Sequence, residues 1–331
     1  MLPCPTKEPY AMTAVTDDFR GRRYHAYNDW ARRVHGGRWQ KVSVDAGFTC
    51  PNRDGKLGVG GCSYCNNEGF TPSYLRQQRD IVAQIDTGVA FMRRRYPDCR
   101  GFLAYFQSYS NTYDDLEVLK RRYTAALDHP DISGLVVGTR PDCLPDATLA
   151  YLGELAQQTM VELEIGIESC ADPVLHECLR GHDFACTQDA IRRAAAHGLF
   201  VTGHLLLGLP GETRTTLVAG ARALGCLPLD AVKFHQLQIV RGTRLANQYR
   251  NDPTSVPLLT PKSYLDAVVD VLEHLSPQVK VQRLGSEVPP VQRAAPDWGM
   301  RLERYPVLLE ERLQARDTWQ GRLFTGGASA G

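Results

Sequence analysis

The sequence has no long apolar run. Nothing in its 331 residues approaches the roughly 18 consecutive apolar residues that a bilayer span requires, so no membrane helix is expected. Net charge is almost nil, with 38 Lys and Arg against 37 Asp and Glu. That balance singles out neither a nucleic acid nor an acidic surface as partner. The first twenty residues lack a continuous apolar segment and carry Pro3, Pro5, Lys7, Glu8, Asp17 and Asp18 instead. No secretory signal is read there, and residues 1–20 are expected to form a flexible leader. A cytoplasmic location follows as the expectation, and the ten cysteines are then reduced thiols, not a disulfide framework. No internal repeat appears beyond a strand–helix alternation.

What the chain does have is one dense group of cysteines. Cys50, Cys62 and Cys65 follow the short alternation Val42-Ser43-Val44 and have the spacing C-x11-C-x2-C. Cys4, Cys99, Cys143, Cys170, Cys178, Cys186 and Cys226 are scattered and read as small buried hydrophobes. Gly55, Gly58, Gly60 and Gly61 permit the sharp turn that wrapping a bound group needs. The Cys62–Cys65 spacing lets two thiolates grip one metal centre. The group lacks a fourth cysteine. Structural zinc normally closes its shell with four protein ligands, whereas three thiolates leave a position open on zinc or on a [4Fe–4S] cluster. The wide first gap costs only about 1 kcal/mol of extra loop entropy. Metal–thiolate binding is worth about ten times more. A chance CxxC, or half of a zinc knuckle with distant partners, remains the competing reading.

Downstream, strands are expected at Phe102–Phe106, Leu135–Val137, Val161–Glu168, Leu199–Leu207 and Ala231–Ile239. Helices are expected at Ile81–Tyr96, Leu116–Leu127, Asp146–Gln158, Thr187–His197 and Thr213–Leu224. With the strand at Val42–Val44, six strands alternate with helices, which implies parallel pairing through right-handed crossovers. The span is short for an eight-fold barrel. The expected fold is α/β: a partial (β/α)6 TIM-like barrel over residues 21–245, then a C-terminal α/β extension over 246–331. That extension holds helices Tyr264–Leu275 and Tyr305–Arg316 and a candidate strand Val279–Leu284.

In strand four, Glu162, Glu164, Gly166 and Glu168 share one face and Leu163, Ile165 and Ile167 the other. If the apolar face meets the helices, the acidic face points into the barrel. Buried carboxylates are costly alone, so that interior must hold water, a polar ligand or cations. The segment Arg20–Lys41 is basic and interleaved with Tyr24, Tyr27, Trp30 and Trp39. It suits either RNA contact or, as net charge favours, an amphipathic helix packed on the barrel.

The strings GFTCPNRDG, GGCSYCN, YFQSYSNTYDD, VGTRPDCLPD, ELEIGIES, RGHDFAC and GLPGET resemble, in this order, the YhcC-type family of radical S-adenosylmethionine (SAM) proteins. That family is similar to the catalytic subunit of Elongator, and the likeness spans about residues 25–285. The resemblance implies a [4Fe–4S] cluster on Cys50, Cys62 and Cys65, with SAM on the open iron, cleaved by one electron to a 5′-deoxyadenosyl radical. It also implies a flavodoxin- or ferredoxin-type electron donor. SAM contacts are expected from Gln107, Ser108 and Asn111, which stand where many members carry Gly-Gly-Glu-Pro, and from Arg140, Glu164, Glu168 and Arg180. Gly208 and Pro210 are expected at a turn approaching the adenine. The final segment shows no acetyl-CoA-type glycine loop, so acetyl transfer is not carried over. The alternative is a non-catalytic iron–sulfur or zinc module contacting RNA or a protein partner.

Overall fold

The computed structural model describes residues 19–67, 72, 75 and 80–326. The expected leader lies outside them except for Phe19 and Arg20. Seven strands form one sheet: β1 (Arg38–Val44), β2 (Cys99–Phe106), β3 (Ile132–Thr139), β4 (Met160–Glu168), β5 (Phe200–Leu207), β6 (Ala231–Gln236) and β8 (Lys280–Arg283). Every neighbouring pair is parallel, and strand order follows chain order. Between them run α2 (Ile81–Arg95), α3 (Leu116–Leu127), α4 (Asp146–Ala156), α5 (Asp172–Glu177), α6 (Phe184–Ala196) and α7 (Arg214–Gly225). The result is a partial barrel, as the alternation predicts, but with a seventh strand. The candidate strand near residue 280 pairs with β6, so the segment after residue 245 contributes the last strand of the barrel wall.

The helices bury the outward faces of the strands. In β4, Leu163, Ile165 and Ile167 are fully buried among Leu149 and Leu152 of α4 and Ile191 of α6. Each such side chain contributes roughly 1.5–3 kcal/mol relative to exposure. The inward face of β4 is acidic and also buried: Glu162 is 2% exposed and Glu164 1%.

β1 and β8 are not paired with each other, so the barrel is open on one side. Helix α1 (Tyr27–Val34) packs against both edges. Trp30 stacks on Phe200, at the start of β5, with ring centroids 5.2 Å apart, and Lys280 lies over both rings. Tyr27 sits edge-on to the same Phe200. Tyr27 and Trp30 of the basic segment therefore floor the barrel. Arg22 is paired with Asp29 at 2.8 Å, and Arg23 donates to Thr318 O and Asp317.

The remainder braces the barrel's mouth and flank. A small antiparallel pair, β7 (Ile239–Val240) with β9 (Arg293–Ala295), precedes and follows α8 (Arg244–Asn251), α9 (Pro261–His274) and β8. Helix α9 packs on α7, and α10 (Tyr305–Ala315) on α9. Among the described residues no helix is long and apolar enough to cross a membrane.

Candidate active site

The eleven residues between Cys50 and Cys62 fold back on themselves. Arg53 N and Asp54 N donate to Cys50 O, Asp54 bridges Val59, and Gly61 N donates to Asn52 O at 2.8 Å. The loop therefore folds back through these bonds, and Cys50 and Cys62 line the same cavity. Gly61 sits at φ +84°, and a Cβ there would meet the Arg53 side chain, so only glycine serves. Cys65 N donates to Cys62 O, closing the second turn. Ser63 N donates to Cys178 O beyond α5, while Leu245 N of α8 donates to Ser63 O. Arg244 also reaches Val59 O at 2.7 Å. The residues after the barrel thus hold the cysteine loop in place.

The three cysteines line one cavity of about 240 Å3 at the carboxyl ends of the strands, where α/β folds place their chemistry. Four N–H donors approach the sulfurs. Asn52 Nδ2 and Arg180 Nη1 stand 3.5 and 3.6 Å from Cys62 Sγ; Arg53 Nη2 and Asn67 Nδ2 stand 3.7 and 3.9 Å from Cys65 Sγ. Burial, with the Cys62 thiol next to it, pushes Cys65 up to about 11 against the pull of Arg53. A bound cation is what turns such a buried thiol into a thiolate ligand. Donors aimed at sulfur then stabilise the charge that a thiolate-held cluster carries. Among the described residues no three potential ligands close on a single metal ion, whereas the thiols share one cavity. The donor set fits a thiolate-bound cluster.

Next to the thiols, Arg180 is 7% exposed and donates to Gly166 O at 2.7 Å, with Glu168 at 3.7 Å. Gly166 makes room for it, since a Cβ there would lie 2.7 Å from both Arg180 Nη2 and Glu168 Oε1. Arg140 makes a two-pronged pair with Asp142 and donates to Arg180 O. Burial alone raises the Asp142 carboxyl, but the Arg140 guanidinium outweighs it and holds it below the usual range. Arg180 Nε, Arg140 Nη1 and Tyr64 Oη are buried without a partner among the described residues, and all three side chains line the cavity. Glu168 and Tyr109, also on its wall, have φ of +66° and +64°. Backbone strain of this kind persists where the surroundings over-determine it, commonly at ligand sites.

Below this rim the barrel interior is ionic. Glu164 Oε1 accepts from Lys41 Nζ at 2.7 Å and from Lys233 Nζ. Its Oε2 accepts from Tyr105 Oη at 2.6 Å and pairs with His204 Nε2 at 2.8 Å. Glu162 accepts from Lys41, Thr202 and Gln282 at 2.6–2.8 Å. Burial by itself would raise the Glu164 carboxyl. Lys233, Lys41 and His204 overcome it and hold that carboxyl well below the usual range. Of the water, polar ligand or cations that strand four requires, these two lysines are present, with burial lowering Lys233 to about 7 even beside Glu164.

Of the residues expected to contact SAM, Gln107, Ser108, Arg140, Glu164, Glu168 and Arg180 line the cavity with the cysteines. Glu164 lies deep, with both oxygens engaged. Asn111 stands back from the wall and ties β2 to β3, donating to Phe106 O and Gly138 O. Gly208 and Pro210 are not brought to the cavity either. Gly208, at φ +90°, donates its N–H to Glu212 and borders a separate hollow. Asn52, Arg53 and Tyr105 lie within the quoted motifs but were given no role there, and His204 and Arg283 belong to the site without a motif to announce them. Inward alternation in β5 and β6 marks His204, Lys233 and His235, and that signal was available in the sequence.

The chain is thus an incomplete parallel α/β barrel with three free thiols lining the cavity at its strand ends. Residues 50–223 match the radical SAM superfamily and residues 229–314 the radical SAM C-terminal domain. The chain belongs to the radical SAM superfamily, within its YhcC-type family, and is a radical SAM enzyme. It is 31% identical over 303 residues to YtqA of Bacillus subtilis, covering 92% of this chain and 93% of that one. It is 35% identical over 267 residues to YhcC of Escherichia coli, covering 80% and 84%. The structure of the archaeal Elp3 of Methanocaldococcus infernus superposes with a TM-score of 0.65 at 14% identity, over 85% of this chain and 64% of that one. That likeness concerns the fold.

Proposed function

We propose that Cys50, Cys62 and Cys65 hold a [4Fe–4S] cluster whose open iron binds SAM, and that the barrel uses this pair for hydrogen abstraction from a substrate inside it. The chemistry such a centre supplies is one-electron cleavage of SAM to methionine and a 5′-deoxyadenosyl radical, the electron coming from a flavodoxin- or ferredoxin-type donor. The observation that carries the reading is that three thiols and three unpartnered buried donors face one cavity. Asn52, Arg53 and Arg180 donate to the ligand sulfurs. Arg180 and Arg140, each with an unpaired N–H, face the SAM carboxylate; a charge-assisted hydrogen bond there is worth about 1.5–3 kcal/mol. Glu168, opposite Arg180, suits the SAM amino group or ribose. The floor of α1, with Trp30 and Tyr27 on Phe200, closes the barrel's lower end against bulk water.

Anaerobic reconstitution tests the ligand set. Wild type is expected to hold about four irons and four sulfides per chain with broad absorbance near 400 nm. Ala at Cys50, Cys62 or Cys65 should each abolish this, and Cys143→Ala should not. A Cys62→Ala protein that retains the full cluster contradicts the assignment.

A further inference from the structure

We infer that the substrate taken at this site is a small oxyacid, presenting a carboxylate or phosphate group to Arg283 and to Nε2 of His235. The inference rests on the radical SAM reading above. Apart from the thiols, the tyrosines and the two histidines, the cavity wall carries six ionisable side chains: Arg53, Arg140, Arg180, Arg283, Glu164 and Glu168. Five of them have partners. Arg53 donates to Cys65, Arg140 pairs with Asp142, Arg180 faces Glu168, and Glu164 holds Lys41, Lys233 and His204. Among the described residues the Arg283 side chain, exposed at the cavity's edge, makes no hydrogen bond or ion pair and is free to meet a ligand. The layer beneath sets Lys41 and Lys233 against Glu162 and Glu164, with burial lowering Lys233 to about 7, and neither carboxylate there is paired with Arg283.

Its neighbour on β6 points to the same ligand. Arg283 is in register with Lys233, and His235 lies two residues further along β6, on the same face and towards the strand's carboxyl end. The His235 ring stands 5.4 Å from that of His204, and its Nε2 is buried with no partner among the described residues. Burial, the His204 ring and the charges of Arg283 and Lys233 hold His235 well below its ordinary range, so it is a neutral imidazole. With its proton on Nε2 it is a buried donor lacking an acceptor, a state that costs about 1–3 kcal/mol until a ligand supplies one. A guanidinium fork beside a neutral N–H matches a carboxylate or phosphate. SAM's own carboxylate has unpaired donors nearer the thiols, on Arg180 and Arg140. Gln236 and Gln238 line both this cavity and an adjoining hollow of about 390 Å3, which accommodates the rest of the acid.

The test is calorimetric titration of the cluster-loaded enzyme, with SAM present, using succinate in one arm and inorganic phosphate in the other at constant ionic strength. Wild type should bind one of them, and the arm that responds identifies a carboxylic acid or a phosphate ester. Arg283→Gln should weaken that binding tenfold or more, Arg283→Lys less, with SAM affinity within twofold of wild type and melting temperature unchanged. Binding of neither anion by wild type, or equal binding by Arg283→Gln, overturns the inference. A tenfold loss of SAM affinity in Arg283→Gln also overturns it. Failure of the radical SAM reading would show separately, as wild-type enzyme that forms no 5′-deoxyadenosine.

Discussion

Glu164 has no exposed side-chain surface and is the residue on which the barrel interior turns. Two ammonium groups, a phenol and an imidazole converge on its two oxygens. Replacing a buried charge that others rely on leaves those others uncompensated, at a cost of about 3–5 kcal/mol. Glu164→Gln is therefore expected to lower unfolding free energy by about that amount in urea titrations. The double variant Glu164→Gln, Lys233→Met should recover part of the loss, because it removes a cation along with the anion. A loss below about 1 kcal/mol in the single variant would mean that these contacts do not hold the interior. Glu164 was legible in the sequence as inward-facing, because period two fixes the face of a strand whose other side is wholly apolar. Its partners were not legible. Lys41 ends a polar run, Arg38-Trp39-Gln40-Lys41, that looks like solvent-facing chain. Only the fold brings it to a carboxylate more than a hundred residues away. Asn52 and Arg53 were equally silent, since nothing in a sequence marks an amide or guanidinium as a donor to sulfur.

At the scale of elements, the turn Gly208–Glu212 shows how a readable motif was placed away from the site. Its glycine and proline mark a tight strand-to-helix turn, and Thr213 caps α7 with a capping box. The turn is built around Glu212, whose carboxylate accepts the Gly208 N–H at 2.8 Å, and Gly208 borders a separate hollow. Burial pushes that carboxyl up to about 7, with the Gly208 bond pulling the other way. A carboxyl raised in the folded state stabilises most below its unfolded value, about 4.3. That contribution is lost as pH rises through about 7. Glu212→Gln removes the dependence, so the stability difference between wild type and variant should shift by roughly 1–3 kcal/mol in the variant's favour from pH 5 to pH 8. Urea midpoints at the two pH values measure it; a difference that stays constant would show that Glu212 ionises as freely as in solvent. The strand β8 was legible as a strand over Val279–Leu284, but its place in the barrel was not. Lys-Val-Gln-Arg is short and polar, and its membership in the seven-stranded sheet rests on its pairing with β6.

For the whole molecule, the parts divide between holding the centre and closing the barrel around it. The loop from Cys50 to Cys65 is anchored by α5 and α8, the floor is plugged by α1, and the open side is narrowed by β8. The order of strands and helices was readable because each βα unit is local in sequence. The bracing was not, because Cys178 O, Ser63 and Leu245 meet only in the folded chain. Central to this account is that the centre so enclosed cleaves SAM reductively. The direct measurement is anaerobic incubation of the cluster-loaded protein with SAM and dithionite, quantifying 5′-deoxyadenosine and methionine. The account predicts the two products in equal amounts, dependent on reductant and absent from the Cys62→Ala protein. A wild-type protein with its cluster complete and reduced that releases no 5′-deoxyadenosine would contradict it.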